Sequence, residues 1–247
     1  MSKFAVIIPA RYESSRFPGK PLALISGKPM IIHVAERCSM SSGEVFVATD
    51  SEEIALCVEA HGFKVVMTSE GCITGTDRVA EVAKNLQYNR IVSVQGDEPL
   101  IDPKDIDRVA KVLDISKVVN CYADNHDGEN LSTINLTMQP EDKLSRRRLL
   151  YASRGPIPFS KGGPFPIQFR QVCIYGFRSN TLCENYGPEC KKTALEEIED
   201  IEILRLLERG VAVDMIKVEP TIAVDWPDDV EAVEKYLAMR ENKGARL

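Results

Sequence analysis

Arg11, Arg16 and Lys20 share one short loop with Ser14, Ser15 and Gly19, directly after the apolar run 4–8. That mix suits a polyphosphate. Basic groups supply charge and forked donors, small residues let backbone N–H groups approach oxygens, and Pro18 and Pro21 stiffen the loop. The loop is not a Walker A motif, because Pro21 follows Lys20 where Ser or Thr would stand, and no GxGxxG occurs. A second chemical cluster is Gln95-Gly96-Asp97-Glu98-Pro99, which follows the apolar run 90–94. A glycine there lets phosphate near the backbone, and Asp97 offers the carboxylate oxygen that hard Mg²⁺ prefers, with Glu98 beside it in the same loop above the sheet. Asp225, just ahead of a helix that has Pro227 early in it, is a second acid able to reach a metal. Thr74, Thr76 and Arg78 open a further helix whose N-terminus would present free amides and hydroxyls to a nucleotide, although an ordinary N-cap by Thr76 or Asp77 reads as well locally. Arg154, between a strand-like run and a proline-stiffened turn, is a candidate for holding an anionic substrate. The run 146–148 of three arginines reads as a solvated face.

The elements that must carry these residues alternate along the chain. Buried strands are expected at 4–8, 44–50, 64–67 and 90–94, and helices at 30–38, from the Asp50/Glu53 capping-box pair into 54–60, at 79–86, and after Asp102-Pro103. This is βαβ order, which calls for a parallel sheet with helices on both faces and ligands at the sheet's C-terminal edge. Further strands are expected at 118–122, 133–138, 171–178 and 211–216. A single helix over 193–209 should start at the Thr193/Glu196 capping box and stop at Gly210. Its acids, including Glu199 and Glu202, are partly explained by the helix N-terminus, at roughly 0.3–1 kcal/mol each. The Gly/Pro-rich stretch 160–165 reads as a flexible connection or a lid.

Bulk composition narrows the function classes. With 247 residues, 44% hydrophobic and 28% charged, the chain has the makings of one large α/β domain. A net charge of −6 argues against general nucleic-acid binding, since the positive charge is local. Seven scattered cysteines without a CxxC pair suit a reducing compartment and argue against zinc. The first apolar run is too short for a membrane span or a signal peptide, so a cytoplasmic protein is expected. His33, His61 and His126 do not form a triad or general-base pattern.

Together the segments IIPARYESSRFPGKPL, GKPMIIHV, VFVATDSEEI, VVMTSEGCITGTDRVAEV, VSVQGDEPLI, LYASRGPIPF, IYGFR, LEEIEDIEILRLLERG and VDWPDDVE resemble the CMP-Kdo synthetases, the 3-deoxy-manno-octulosonate cytidylyltransferases, in family order from Ala5 to Glu231. The resemblance implies an α/β fold of the nucleotide-diphospho-sugar transferase (Rossmann-like) type: a mostly parallel sheet, helices on both faces and a smaller sugar-binding and dimerisation subregion. It implies one domain, with 1–115 as the nucleotide half, 116–220 as the sugar-acid and dimerisation half and 221–247 carrying the metal-binding acid and the last helix. The implied reaction is Mg²⁺-dependent transfer of CMP from CTP to a 2-keto-3-deoxy sugar acid, most simply Kdo, with release of pyrophosphate, in a homodimer that binds neither nucleic acid nor membrane. Arg11, Ser14, Arg16 and Lys20 then meet the triphosphate, Thr74, Thr76 and Arg78 lie near the nucleotide, Gln95 and Gly96 line the site, and Asp97 and Asp225 hold Mg²⁺. Arg154, Gln171, Tyr175, Glu199 and Glu202 belong to the sugar-acid side. Three departures bear on the acceptor: Gln171 stands where the family usually has His, Ile203 follows Glu202 where it usually has Gln, and Cys72 lies where a His is usual. A different acid, such as 8-amino-Kdo or a nonulosonic acid, is therefore a second expectation. A non-catalytic nucleotide-binding protein is a third, which the two acids disfavour.

Overall fold

The computed structural model describes residues 4–14, 16–125, 133–159, 161–162 and 168–244. Ser15, His126, Ser160 and the stretch 163–165, named above, lie outside them. The chain runs β1 (Ala5–Ala10), β2 (Leu24–Ile25), β3 (Lys28–Pro29), α1 (Met30–Ser39), β4 (Glu44–Thr49), α2 (Glu52–Ala60), β5 (Lys64–Met67), α3 (Gly75–Asn85), β6 (Arg90–Val94), α4 (Pro103–Val112) and β7 (Val118–Asn125). It continues through β8 (Asn135–Met138), β9 (Arg147–Ser153), β10 (Gln168–Arg178), α5 (Ser179–Asn185), α6 (Ala194–Glu199), α7 (Leu204–Glu208), β11 (Asp214–Lys217) and α8 (Pro227–Gly244).

One sheet spans the molecule in the order β5-β4-β1-β6-β10-β7-β11-β9-β8. Its first four strands are parallel, with β1 in register from Ala5 opposite Glu44 to Ala10 opposite Thr49. All six residues of β1 are buried, which explains its unbroken apolar sequence: helices cover both faces, so neither side of the strand needs polarity. Val6, Ile8 and Ala10 pack with α1, α2 and α4 on one face, while Ala5 and Ile7 pack with α3 on the other, where α5 and α7 also lie. The second half departs from this pattern. Strand β10 enters antiparallel between β6 and β7, β11 is parallel to β7, and β9 and β8 close the edge antiparallel. A third cluster of Ile25, Met30, Val224 and Val233 fastens the β2–β3 hairpin to α8. No described helix is long and apolar enough to cross a membrane.

Three local expectations change. Helix α2 is capped by Ser51, whose hydroxyl accepts from the Ile54 amide, so Asp50 stays outside the helix and pairs with Arg78. The helix expected over 193–209 is two, because Asp200 takes a left-handed φ of 51° and breaks it between α6 and α7. Aspartate tolerates that conformation better than most residues. The arginine run is not a solvated face either. Arg146 and Arg148 pair with Asp214, and the Arg147 guanidinium lies over the Tyr122 and Phe169 rings.

Candidate active site

A cavity of about 720 Å³ opens at the C-terminal edge of the parallel strands, within the size range of small-molecule sites. Its first wall is the loop after β1. The Gly19 amide donates to the Tyr12 carbonyl at 3.0 Å, with Gly19 at φ 68°, and the Phe17 amide reaches the Ser14 hydroxyl at 3.4 Å. This turn delivers Lys20 to the cavity floor, where Nζ donates to Asp97 Oδ2 at 2.8 Å and to the Val224 carbonyl at 2.9 Å, and lies 4.0 Å from Asp225 Oδ1. Arg16 Nη1 is 3.2 Å from the same Asp225 oxygen. Arg11, Ser14, Arg16 and Lys20 all line the cavity.

Asp97 and Asp225 meet because Val224 bridges them: its amide donates to the Asp97 carbonyl at 2.9 Å, and the next residue is Asp225. Asp229 Oδ2 then accepts the Asp225 and Trp226 amides at 2.8 and 2.7 Å and fixes the start of α8. Burial and the neighbouring Asp97 raise the Asp225 carboxyl above its ordinary range, and Lys20 and Arg16 oppose them. Two hard carboxylates sharing a lysine counter-ion fit Mg²⁺ held jointly with nucleotide phosphates. They do not form an all-protein cage, and the described residues contain no cluster of three or more His, Cys, Asp or Glu ligands. Glu98 lines the same cavity as Asp97, but its carboxylate is taken up inside the protein. It is buried, accepts from the Thr221 hydroxyl at 2.6 Å and the Cys173 amide at 3.3 Å, and is raised by burial to about 7.

Gln95 and Gly96 also line the cavity. A Cβ on Gly96 would sit 2.9 Å from the Pro9 carbonyl oxygen, so the strand-to-loop approach at this point requires glycine. Gly96→Ala is expected to cost about 1–3 kcal/mol of stability by overpacking. Urea denaturation checks this, and a native midpoint would show that the loop accommodates the methyl group.

The first turn of α3 differs from the expectation of free amides. Thr74 is its N-cap, accepting from the Asp77 amide at 3.1 Å, and the Gly75 and Thr76 amides are already taken by the Glu202 carboxylate at 3.1 and 2.8 Å. Burial raises the Glu202 carboxyl, while the hydrogen bonds from Thr76 pull it down. Arg78 is held by Asp50 at 2.5 Å and by the Thr68 hydroxyl. Thr74, Arg78 and Glu202 line the cavity; Thr76 is buried behind it.

Arg154, Gln171 and Tyr175 line the cavity as well. Arg154 Nε and Nη2 donate to the carbonyls of Glu199 and Asp200, each at 2.9 Å. Glu199 is not among the lining residues. Its carboxylate accepts from the Ser153 hydroxyl at 2.8 Å, the Tyr151 hydroxyl at 3.3 Å and the Arg154 amide at 3.0 Å, so it braces the end of β9. The structure adds Arg170, Lys192, Asp200, Thr221 and Trp226 to the wall. Lys192 donates to Asp200 at 2.9 Å and holds that carboxyl below its usual range. The lone tryptophan, half-exposed beside Asp225, was the one legible signal among them. All seven cysteines are free thiols.

Residues 5–217 match the family model described as cytidylyltransferase. The mitochondrial 3-deoxy-manno-octulosonate cytidylyltransferase of Arabidopsis thaliana is 39% identical over 97% of this chain and 84% of its own. The 3-deoxy-manno-octulosonate cytidylyltransferase of Myxococcus xanthus is 39% identical over 95% of this chain and 96% of its own. A solved CMP:2-keto-3-deoxy-manno-octonic acid synthetase complexed with CTP superimposes with a TM-score of 0.85 at 34% identity, covering 97% of this chain and all of that one. The 4-diphosphocytidyl-2C-methyl-D-erythritol synthase of Anaerococcus prevotii, at 14% identity and a TM-score of 0.63, shares the fold alone.

Proposed function

Because the chain belongs to the 3-deoxy-manno-octulosonate cytidylyltransferase family, we propose that it transfers CMP from CTP to Kdo, releasing pyrophosphate and yielding CMP-Kdo for lipopolysaccharide or capsule synthesis. The observation that carries this reading is the junction of Lys20, Asp97 and Asp225 at the floor of a cavity whose adjoining wall is the Arg11–Arg16 loop. Charge of both signs is gathered where a triphosphate and its metal would be needed. The loop cations bind the triphosphate, and Gln95 and Gly96 bring backbone close to it. Asp97 and Asp225 hold Mg²⁺, which when bound neutralises phosphate charge and orients the triphosphate. Arg154, Gln171, Tyr175 and Glu202 orient the sugar acid so that its anomeric hydroxyl attacks the α-phosphate in line. No side chain here forms a covalent intermediate; the acceleration comes from positioning and fixed electrostatics.

The nucleotide half, the acceptor half and the α8 segment carry these roles in turn. A cytoplasmic homodimer belongs to the same reading, and exposed Leu150 and Phe159 supply uncovered apolar surface on the acceptor half.

Purified protein with CTP, MgCl₂ and a panel of acids tests the reading by pyrophosphate release. Turnover with Kdo is the expected result, and its loss when CTP is replaced by UTP or GTP is expected as well. No release with any acid overturns it. The exchange of a usual His for Gln171 on the acceptor wall favours one second reading, the same transfer to a different acid. Turnover with an amino-substituted or longer sugar acid and none with Kdo would select it.

A further inference from the structure

Between the end of β11 and the start of α8 the chain runs without regular structure, and this stretch carries Asp225 to the cavity. Such a segment has reason to swing outward, because the neighbouring Asp97 disfavours the charge on Asp225. Two of its residues are held. Val224, fully buried, donates its amide to the Asp97 carbonyl at 2.9 Å and accepts from Lys20 Nζ at 2.9 Å. The Thr221 hydroxyl donates to Glu98 Oε2 at 2.6 Å, and the Thr221 carbonyl accepts from Arg170 Nη2 at 2.7 Å. The other oxygen of Glu98 accepts the Cys173 amide at 3.3 Å, inside the β10 bulge between Val172 and Tyr175. Consecutive residues, Asp97 and Glu98, thus grip positions 224 and 221 of one segment, the first through its backbone and the second through its side chain.

Stability gives no reason for a carboxyl group at this position. Glu98 is 2% exposed, an acid is expensive to desolvate, and apolar side chains of similar volume often serve a core as well or better. What an apolar residue could not do is take hold of Thr221 from one side and the β10 bulge from the other. The turn that presents the first acid of the cavity floor therefore also anchors the carrier of the second.

We propose that Glu98 is a positioning residue: through the Thr221 hydroxyl it fixes the segment 219–225 so that Asp225 stays opposite Asp97 and Lys20. The inference rests on the reading above in which Asp225 serves the reaction. It adds a group that acts on turnover only through the placement of Asp225.

The test sets stability, metal requirement and the position of the segment side by side. The double variant Glu98→Met with Thr221→Val replaces the pair by apolar groups of similar size, so its urea midpoint is expected to stay near the native one. The Mg²⁺ concentration for half-maximal pyrophosphate release should nevertheless rise about 10-fold, the order expected when a group behind a metal ligand is lost. Glu98→Gln alone keeps an oxygen for the Cys173 amide and offers its NH₂ to the Thr221 hydroxyl, so it is expected to avoid most of that rise. The lone tryptophan, Trp226, follows Asp225 and is 49% exposed, so its quenching by acrylamide in the ligand-free protein reports on the same segment without turnover. The quenching constant should rise in the double variant and lie near the native value in Glu98→Gln. Should the double variant fail to fold, Thr221→Val set against Thr221→Ser makes the same comparison with the hydroxyl alone at stake. An unchanged quenching constant, an unchanged Mg²⁺ requirement, or a glutamine variant as impaired as the double one overturns the inference. Absence of turnover by the native enzyme with every acid instead overturns the functional reading beneath it, and the quenching comparison still decides whether Glu98 sets this segment.

Discussion

Asp97→Asn is expected to lower kcat for pyrophosphate release by about 10²–10³-fold, the range seen when one electrostatic stabiliser is removed from a water-poor site. The substitution keeps shape and the backbone bridge from the Val224 amide to the Asp97 carbonyl at 2.9 Å. What it removes is the charge that Lys20 Nζ contacts at 2.8 Å and the hard oxygen that the proposed function assigns to Mg²⁺. Asp97 is 26% exposed at its side chain, so the change should leave the thermal midpoint within a few degrees. It also removes the neighbour that helps raise the Asp225 carboxyl, which shifts that group back toward its ordinary range. Asp225→Asn should behave in parallel, lowering turnover more than CTP affinity. Single-turnover kinetics with saturating CTP, set beside equilibrium CTP binding, measure both effects. Turnover within threefold of the native enzyme for Asp97→Asn would sink the assignment of the site.

The second large effect lies away from the cavity. Arg205 is fully buried between two carboxylates that are themselves fully buried: Nε and Nη2 meet Glu196 at 2.6 and 2.7 Å, and Nη1 and Nη2 meet Asp77 at 2.6 and 3.1 Å. Its guanidinium lies 4.4 Å from the centre of the Tyr186 ring. Arg205→Met leaves two negative charges inside the core, and removing one member of such a group costs about 3–5 kcal/mol. For a chain of this size that corresponds to a midpoint lower by roughly 6–20 °C. The triple variant with Asp77→Asn and Glu196→Gln should regain much of the loss, since no buried charge is left unpaired. The junction joins α3 to α6 and α7, the same elements that Glu202 ties by capping α3. A native midpoint for Arg205→Met in thermal or urea denaturation, or a triple variant no better than the single one, would contradict this account.

The parallel half was legible because its signals are local. The apolar run of β1, the Asp102-Pro103 start of α4 and the loop after β1 each state their own conformation within a few residues. The Arg11, Lys20 and Asp97 cluster followed from two such loops ending on neighbouring parallel strands. Where partners are distant, the local reading failed. Asp50 could not reveal from its neighbours that Arg78 would claim it, nor the free-looking amides of Gly75 and Thr76 that Glu202 would fill them. Glu199 entered as a site acid through the family resemblance, and in the structure its carboxylate is taken by Ser153, Tyr151 and the Arg154 amide and does not line the cavity.

By itself the sequence determined which chemical groups exist and which short segments present them: a cationic loop, two isolated acids, a βαβ order and a family. The tertiary structure alone decided which groups neutralise one another. It inserted β10 between β6 and β7, brought Lys20 against Val224 and Asp225, and buried Glu98. The reason is that Coulomb and hydrogen-bond energies depend on separation in space, while propensity and periodicity act only along the chain. Residues some 200 positions apart in sequence can thus set each other's charge state and orientation, as Lys20 and Asp225 do.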